Sequence, residues 1–151
     1  MSCMGIDQSF TSTAVYIDGT SPIVTVIKSN KSDDVYTRAQ YIANQVVTIA
    51  QTHKPTTINI EGLAFGSVGN ATRDLAGLQM LIICALRTAG FDPKVIPPNT
   101  LKKASTQDGR ASKEKMHECL PDNIKLSLST YKKSSGLYDL VDAYWLSKYE
   151  G

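Results

Sequence analysis

Residues 3–8 (Cys3-Met4-Gly5-Ile6-Asp7-Gln8), 12–18 (Ser12-Thr13-Ala14-Val15-Tyr16-Ile17-Asp18) and 22–27 (Pro22-Ile23-Val24-Thr25-Val26-Ile27) decide the fold. Each is a short run with β-branched or apolar residues, bounded by small polar ones, as strands are. Asp18-Gly19-Thr20 is a hairpin signal between the second and third runs. Three antiparallel strands in a meander fit this spacing.

Helical periodicity follows. After Asp33-Asp34, a plausible N-cap pair, Val35, Ala39, Ile42, Val46, Ile49 and Ala50 recur at three- and four-residue steps, predicting a helix that ends near His53, before Pro55. Thr57-Ile58-Asn59-Ile60-Glu61 is a fourth strand running into the glycine-rich stretch Gly62–Gly69. A second helix follows Asn70, with Ala71, Leu75, Leu78, Ile82 and Ala85 on one face and Gly90 as its C′ residue. Lys94-Val95-Ile96 is a fifth strand, stopped by Pro97-Pro98. Small helices are expected from Asn99 and from Ser112, an irregular basic segment over 122–135, and a last helix from Leu137 to about Tyr149. Strands in a meander, then strand–helix alternation, imply an α/β fold. Its five-stranded mixed sheet has three antiparallel strands, then parallel ones, flanked by helices.

The chain has 151 residues, 42% hydrophobic and 20% charged, which suits one globular domain over residues 1–151. No apolar run reaches the ~18–20 residues of a membrane span, and no signal-peptide pattern opens the chain. A cytoplasmic protein is expected. Cys3, Cys84 and Cys119 are too few and too widely spaced for a disulfide framework or a zinc site; Cys84, in the apolar run Leu81–Leu86, reads as a small buried hydrophobe. Net charge is only +2, but Lys94 to Lys133 carries nine basic residues against four acidic ones. Such a stretch is either a solvated surface or a phosphate-binding face.

Four acids stand out. Asp7 ends the first strand, Glu61 ends the fourth, and Asp139 and Asp142 sit three apart on one face of the last helix. That helix also carries Leu137, Leu140, Val141, Trp145 and Leu146, so its carboxylates lie near a packed side. Singly, Asp7 could be a turn residue, Glu61 a strand end reaching water, and the Asp139–Asp142 pair a solvated helix face. Together they are a candidate cluster. At ~4 Å and an effective dielectric of ~20, each carboxylate pair costs about 4 kcal/mol, so a cluster requires cations. All-oxygen donors select Mg²⁺, with Mn²⁺ as a substitute, over zinc. Two such ions ~3.5–4 Å apart are a known device for phosphodiester hydrolysis.

The joint placement of the four acids is the layout of a ribonuclease-H-like nuclease. Through Gly5-Ile6-Asp7, Ile60-Glu61 with its following Gly/Phe loop, and Asp139-x-x-Asp142-Ala143, the chain resembles the RuvC-type Holliday junction resolvases, most of all their divergent bacteriophage versions. The resemblance implies a homodimeric, structure-selective endonuclease on branched DNA, resolving four-way junctions by paired nicks in a cytoplasm, the host's if phage-encoded. It implies Asp7, Glu61, Asp139 and Asp142 as metal-binding catalytic residues, with two Mg²⁺ per site. It also implies DNA contacts from Lys102 or Lys103 and from Lys113, the last with a catalytic part, and from Phe65 at the branch point. Phe65 could equally anchor its loop in the core, and the two adjacent lysines cannot both face one site. Where many bacterial members have Pro-Gly after the first aspartate, this chain has Gln8-Ser9. No docking surface for a branch-migration motor is inferable.

A four-way junction is two-fold symmetric, so two copies of a one-site chain are expected. The second helix is the expected seam, since Leu75, Leu78, Leu81, Ile82, Ile83, Leu86 and Ala89 cover more than one stripe. Two other functions share parts of this pattern. A nuclease of the same fold acting on structured RNA would keep the carboxylates, whereas a non-catalytic binding module would need only the basic face. A sugar-kinase or actin-like fragment would lack the half that closes over nucleotide, and Gly62–Gly69 has no Gly-Lys-Ser/Thr ending for a P-loop.

Overall fold

The computed structural model describes residues 2–64 and 68–151. β1 (Cys3–Asp7), β2 (Thr13–Ile17) and β3 (Ile23–Ile27) form the expected antiparallel meander. β4 (Thr57–Glu61) pairs in parallel with the other edge of β1, and β5 (Lys94–Ile96) in parallel with β4. The order across the sheet is β3-β2-β1-β4-β5. Parallel pairing needs a crossover, which α1 (Val35–His53) and α2 (Asn70–Thr88) provide. Asp34 caps α1, its carboxylate accepting from the Thr37 N–H at 2.7 Å. Gly90, at φ +96°, takes the left-handed position after α2.

Side chains alternate along a strand, so the sheet separates two core layers. Met4, Ile6, Val15, Ile17, Ile58 and Ile60 meet Ile42, Val46, Leu78, Ile82 and Leu86 of α1 and α2. On the opposite face Ala14, Tyr16 and Ile96 meet Leu140, Val141, Ala143, Tyr144 and Leu146 of α6 (Leu137–Lys148). Three short helices complete that layer: α3 (Pro98–Thr106), α4 (Lys113–Glu118) and α5 (Asp122–Ser127). Leu101 of α3, Met116 of α4, and Leu120 and Leu128 in the chain flanking α5 are buried in that layer.

Two expectations change. The segment 122–135 is not wholly irregular: it forms α5 and a 3-10 turn at Lys133–Ser135. Six residues are too few to show a period, and buried Leu128 ties the segment to α6. Cys84 is exposed rather than buried. The apolar run is helical, and its pitch turns Ile82 and Leu86 inward and Cys84 outward. The three cysteines are free thiols, as their spacing implied. Among the described residues no helix is long and apolar enough to cross a membrane.

α6 lies unusually close to the sheet, and Gly5 is the reason. A Cβ at Gly5 would overlap the carbonyl oxygen of Ala143 and stand 2.8 Å from the Ser147 nitrogen. Beside Gly5 in the register is Asn59, 4% exposed. Its side-chain amide donates to the carbonyls of Leu146 (2.8 Å) and Tyr149 (3.0 Å), tying down the end of α6. Gly5→Ala should therefore destabilise the protein by ~1–3 kcal/mol, the range for overpacking a core. Calorimetry should show a midpoint lower by several degrees; an unchanged midpoint would mean that α6 does not depend on this close approach.

Candidate metal centre

Register and parity bring the first two acids together. Ile6 pairs with Ile60, so Asp7 and Glu61 are the next residues on adjacent strands. Both follow inward-facing isoleucines and so point to the face that α6 covers. Asp142 directly precedes Ala143, the residue whose carbonyl meets Gly5. One carboxylate oxygen from each of Asp7, Glu61 and Asp142 lies within 4.8 Å of the others. Asp139 is not in that group; its Oδ2 accepts instead from the Ser12 hydroxyl at 2.6 Å.

Burial is the main cause of what happens to these acids electrostatically. It pushes Asp7 well above the usual carboxylate range, with repulsion from Glu61 and Asp142 adding to the shift. Burial raises Asp142 to about 8, again helped by Glu61. Glu61 is raised for the same first reason, although the nearby Lys102 and Lys113 pull it back. Three carboxylates so placed cannot all carry charge unless something positive joins them. Hard oxygen donors, negative charge and close grouping together fit a divalent cation of the Mg²⁺ or Mn²⁺ type. Among the described residues no histidine or cysteine joins the group, so it does not fit zinc as well.

The carboxylates open on a cavity of about 330 Å³ that Lys102 and Lys113 also line. Lys103 faces elsewhere, into a separate groove with Asn99, Thr100 and Arg110. Successive residues on a helix point ~100° apart, so α3 separates the two lysines that sequence reading could not. Phe65 lies outside the described residues.

Two site residues carried no sequence signal. Gln8, 5% exposed, donates through Nε2 to the Glu61 carbonyl at 3.1 Å, and Gln79 of α2 donates to the same oxygen at 2.8 Å. They fix the end of β4 and hence the base of the Glu61 side chain. Apart from Thr72, the remaining wall is apolar, with Leu63, Leu75, Leu101 and Met116. Periodicity marks such residues only as core.

Similarity to known proteins is confined to structure. No family model matches the sequence, and no curated protein matches it. Among solved structures, RuvC of Thermus thermophilus superposes with a TM-score of 0.75 at 19% identity, covering 97% of this chain and 91% of that one. The fold is ribonuclease-H-like. T. thermophilus RuvC in complex with a Holliday junction substrate gives a TM-score of 0.74 at 18% identity, covering 97% and 90%. The yeast mitochondrial Holliday junction resolvase Ydc2 gives 0.67 at 12% identity, covering 96% and 75%. The mixed sheet and its flanking helices thus match those of RuvC-type resolvases over essentially the whole chain.

The acid cluster makes stability depend on pH in a defined direction. Folded Asp7, Glu61 and Asp142 hold protons more tightly than they do in the unfolded chain. Their stabilisation is complete below the ordinary carboxylate pKa of ~4 and is lost as pH rises toward the Asp142 value of about 8. The thermal midpoint in EDTA should fall between pH 5 and pH 8. Asp142→Asn should flatten that slope, and millimolar Mg²⁺ or Mn²⁺ should raise the midpoint more at pH 8 than at pH 5. A metal-free midpoint that rises across this interval for the wild type alone would contradict the clustering.

Proposed function

We propose that the chain is a divalent-metal-dependent, structure-selective endonuclease that resolves four-way DNA junctions by paired nicks. The observation that carries this reading is the three-carboxylate group where the ends of two parallel strands of a ribonuclease-H-like sheet meet α6, with two lysines on the same cavity. Two of the similar solved proteins are described as a RuvC bound to a Holliday junction and a Holliday junction resolvase.

Asp7, Glu61 and Asp142 would hold one cation, and Asp139, at the edge of that site, would be the fourth carboxylate available to a second. Bound there, Mg²⁺ or Mn²⁺ supplies a nucleophilic water and neutralises charge building on the phosphate. The chain's own residues supply the rest. Lys102 and Lys113 bring ammonium groups to the cavity beside the carboxylates, where a backbone phosphate meets attraction as well as repulsion. Lys103 and Arg110, in their separate groove, hold flanking phosphates and contribute to affinity without touching the cut bond. Phe65, in the loop after Glu61, is our candidate for stacking at the branch point.

Labelled four-way, three-way, flap and linear DNA with Mg²⁺ or Mn²⁺ should show cleavage concentrated on the four-way form; preference for structured RNA would overturn the substrate assignment. Asp7→Asn, Glu61→Gln and Asp142→Asn should each cut cleavage by ~10³-fold, several kcal/mol of lost metal-assisted stabilisation. Junction affinity in Ca²⁺ should survive, because phosphate contacts come from the basic groups. Near-normal cleavage by any of the three would remove that residue from the active site.

Symmetric nicking needs two sites, and we assign the second to another copy of the chain. The seam shifts from the residues expected. Leu78, Ile82 and Leu86 are buried within one subunit, and Leu75, Leu81 and Ile83 pack partly against its core. The outward stripe of α2 is Ala76, Gly77, Met80 and Cys84, with Met80 64% exposed. Sedimentation equilibrium should report about twice the 16.4 kDa chain mass, and Met80→Lys should shift it toward monomer. A wild type that stays monomeric free and on a junction, yet makes paired nicks, would contradict the dimer.

A further inference from the structure

Asp139 and Asp142 are one helical turn apart on α6, yet only Asp142 joins the group of three. The difference lies in a residue outside every sequence motif. Ser12, 9% exposed, sits in the turn between β1 and β2 and donates its hydroxyl to Asp139 Oδ2 at 2.6 Å.

The turn that carries Ser12 is braced from several sides. The Ser12 N–H donates to Ser9 Oγ (2.9 Å), and the Thr13 hydroxyl donates to the Ser9 carbonyl (2.6 Å). The Phe10 carbonyl accepts from the Ser29 hydroxyl (2.6 Å) and the Arg38 guanidinium (2.9 Å). α6 begins directly against this turn. Gly136, at φ +103°, has room for no more than a contact, since a Cβ there would stand 3.5 Å from Ser12 Cβ and 3.4 Å from Val26. A short, partly buried hydrogen bond between a braced turn and the first turn of a packed helix leaves Asp139 little freedom to rotate.

We propose that Ser12 is a positioning residue for Asp139, holding this carboxylate at the edge of the Asp7–Glu61–Asp142 group so that it serves a cation there. The bond occupies Oδ2 and leaves Oδ1 as the acceptor that can turn to an ion. Outer partners of this kind orient ligating carboxylates in metal sites generally, and their loss costs ~10–100-fold in metal affinity. The inference rests on the metal-dependent reading of the site but not on the DNA substrate.

The test is Mn²⁺ binding by isothermal titration to the full chain without DNA. Ser12→Ala and Asp139→Asn should each weaken Mn²⁺ binding by ~10-fold or more, and Ser12→Thr, which keeps the hydroxyl, should restore it. The double variant should bind no more weakly than Asp139→Asn alone, because the serine acts only through that carboxylate. A purely structural role would lower the metal-free melting midpoint without this non-additivity. Wild-type affinity in Ser12→Ala, a further loss in the double variant, or no Mn²⁺ uptake by the wild type would overturn the proposal. Binding that follows the expected pattern in a protein that cuts no branched DNA would overturn the proposed substrate and leave this inference standing.

Discussion

The close approach of the α6 backbone to Gly5, which leaves no room for a side chain there, is the constraint on which the rest depends. β1 is the central strand, and α6 crosses it at the one residue with no side chain. That contact sets the height of the helix above the sheet. It thereby sets the distance from Asp142, one residue before the touching carbonyl, to Asp7, two residues beyond the glycine. Asn59, next to Gly5 on β4, ties down the far end of the same helix through two carbonyls. A larger residue at position 5 would lift α6 and open the carboxylate group together.

Magnitudes explain why such a site needs so much scaffold. One pair of like charges at ~4 Å and an effective dielectric of ~20 is worth about 4 kcal/mol, against a total stability of ~5–15 kcal/mol for a typical domain. Three ionised carboxylates would consume most of that margin. Such a group is tenable only with protons or a cation bound there, and the sheet that carries it is packed by an apolar layer on each face. The basic residues of the 94–133 stretch do not neutralise the cluster by direct pairing; Lys102 and Lys113 stand at the cavity, and Lys103 faces away from it.

The parts legible in the sequence were those governed by local rules. Short β-branched and apolar runs put Asp7 and Glu61 at strand ends, and glycine, proline and aspartate punctuation located both long helices. Gly5 was visible as a motif residue, but its reason, a helix arriving from more than a hundred positions away in sequence, was not. Contacts of that separation hid the remainder. Nothing local distinguishes Asp139 from Asp142 until Ser12 takes one of them, nor Lys102 from Lys103 until α3 is oriented. Gln8 and Gln79 meet on the Glu61 carbonyl only after α2 has packed. Cys84 was misread because an unbroken apolar run conceals helical pitch, and α5 was missed because it owes its form to packing.

The central claim is that Asp7, Glu61 and Asp142 form one cation site, with Asp139 at its edge. A crystal of the protein soaked in Mn²⁺, with diffraction recorded at the manganese absorption edge, addresses it without any assay of function. The account predicts an anomalous peak ~2.0–2.2 Å from carboxylate oxygens of those three residues, the range for small hard divalent ions. Manganese bound only elsewhere on the surface, with the three carboxylates still grouped and bare, would contradict it.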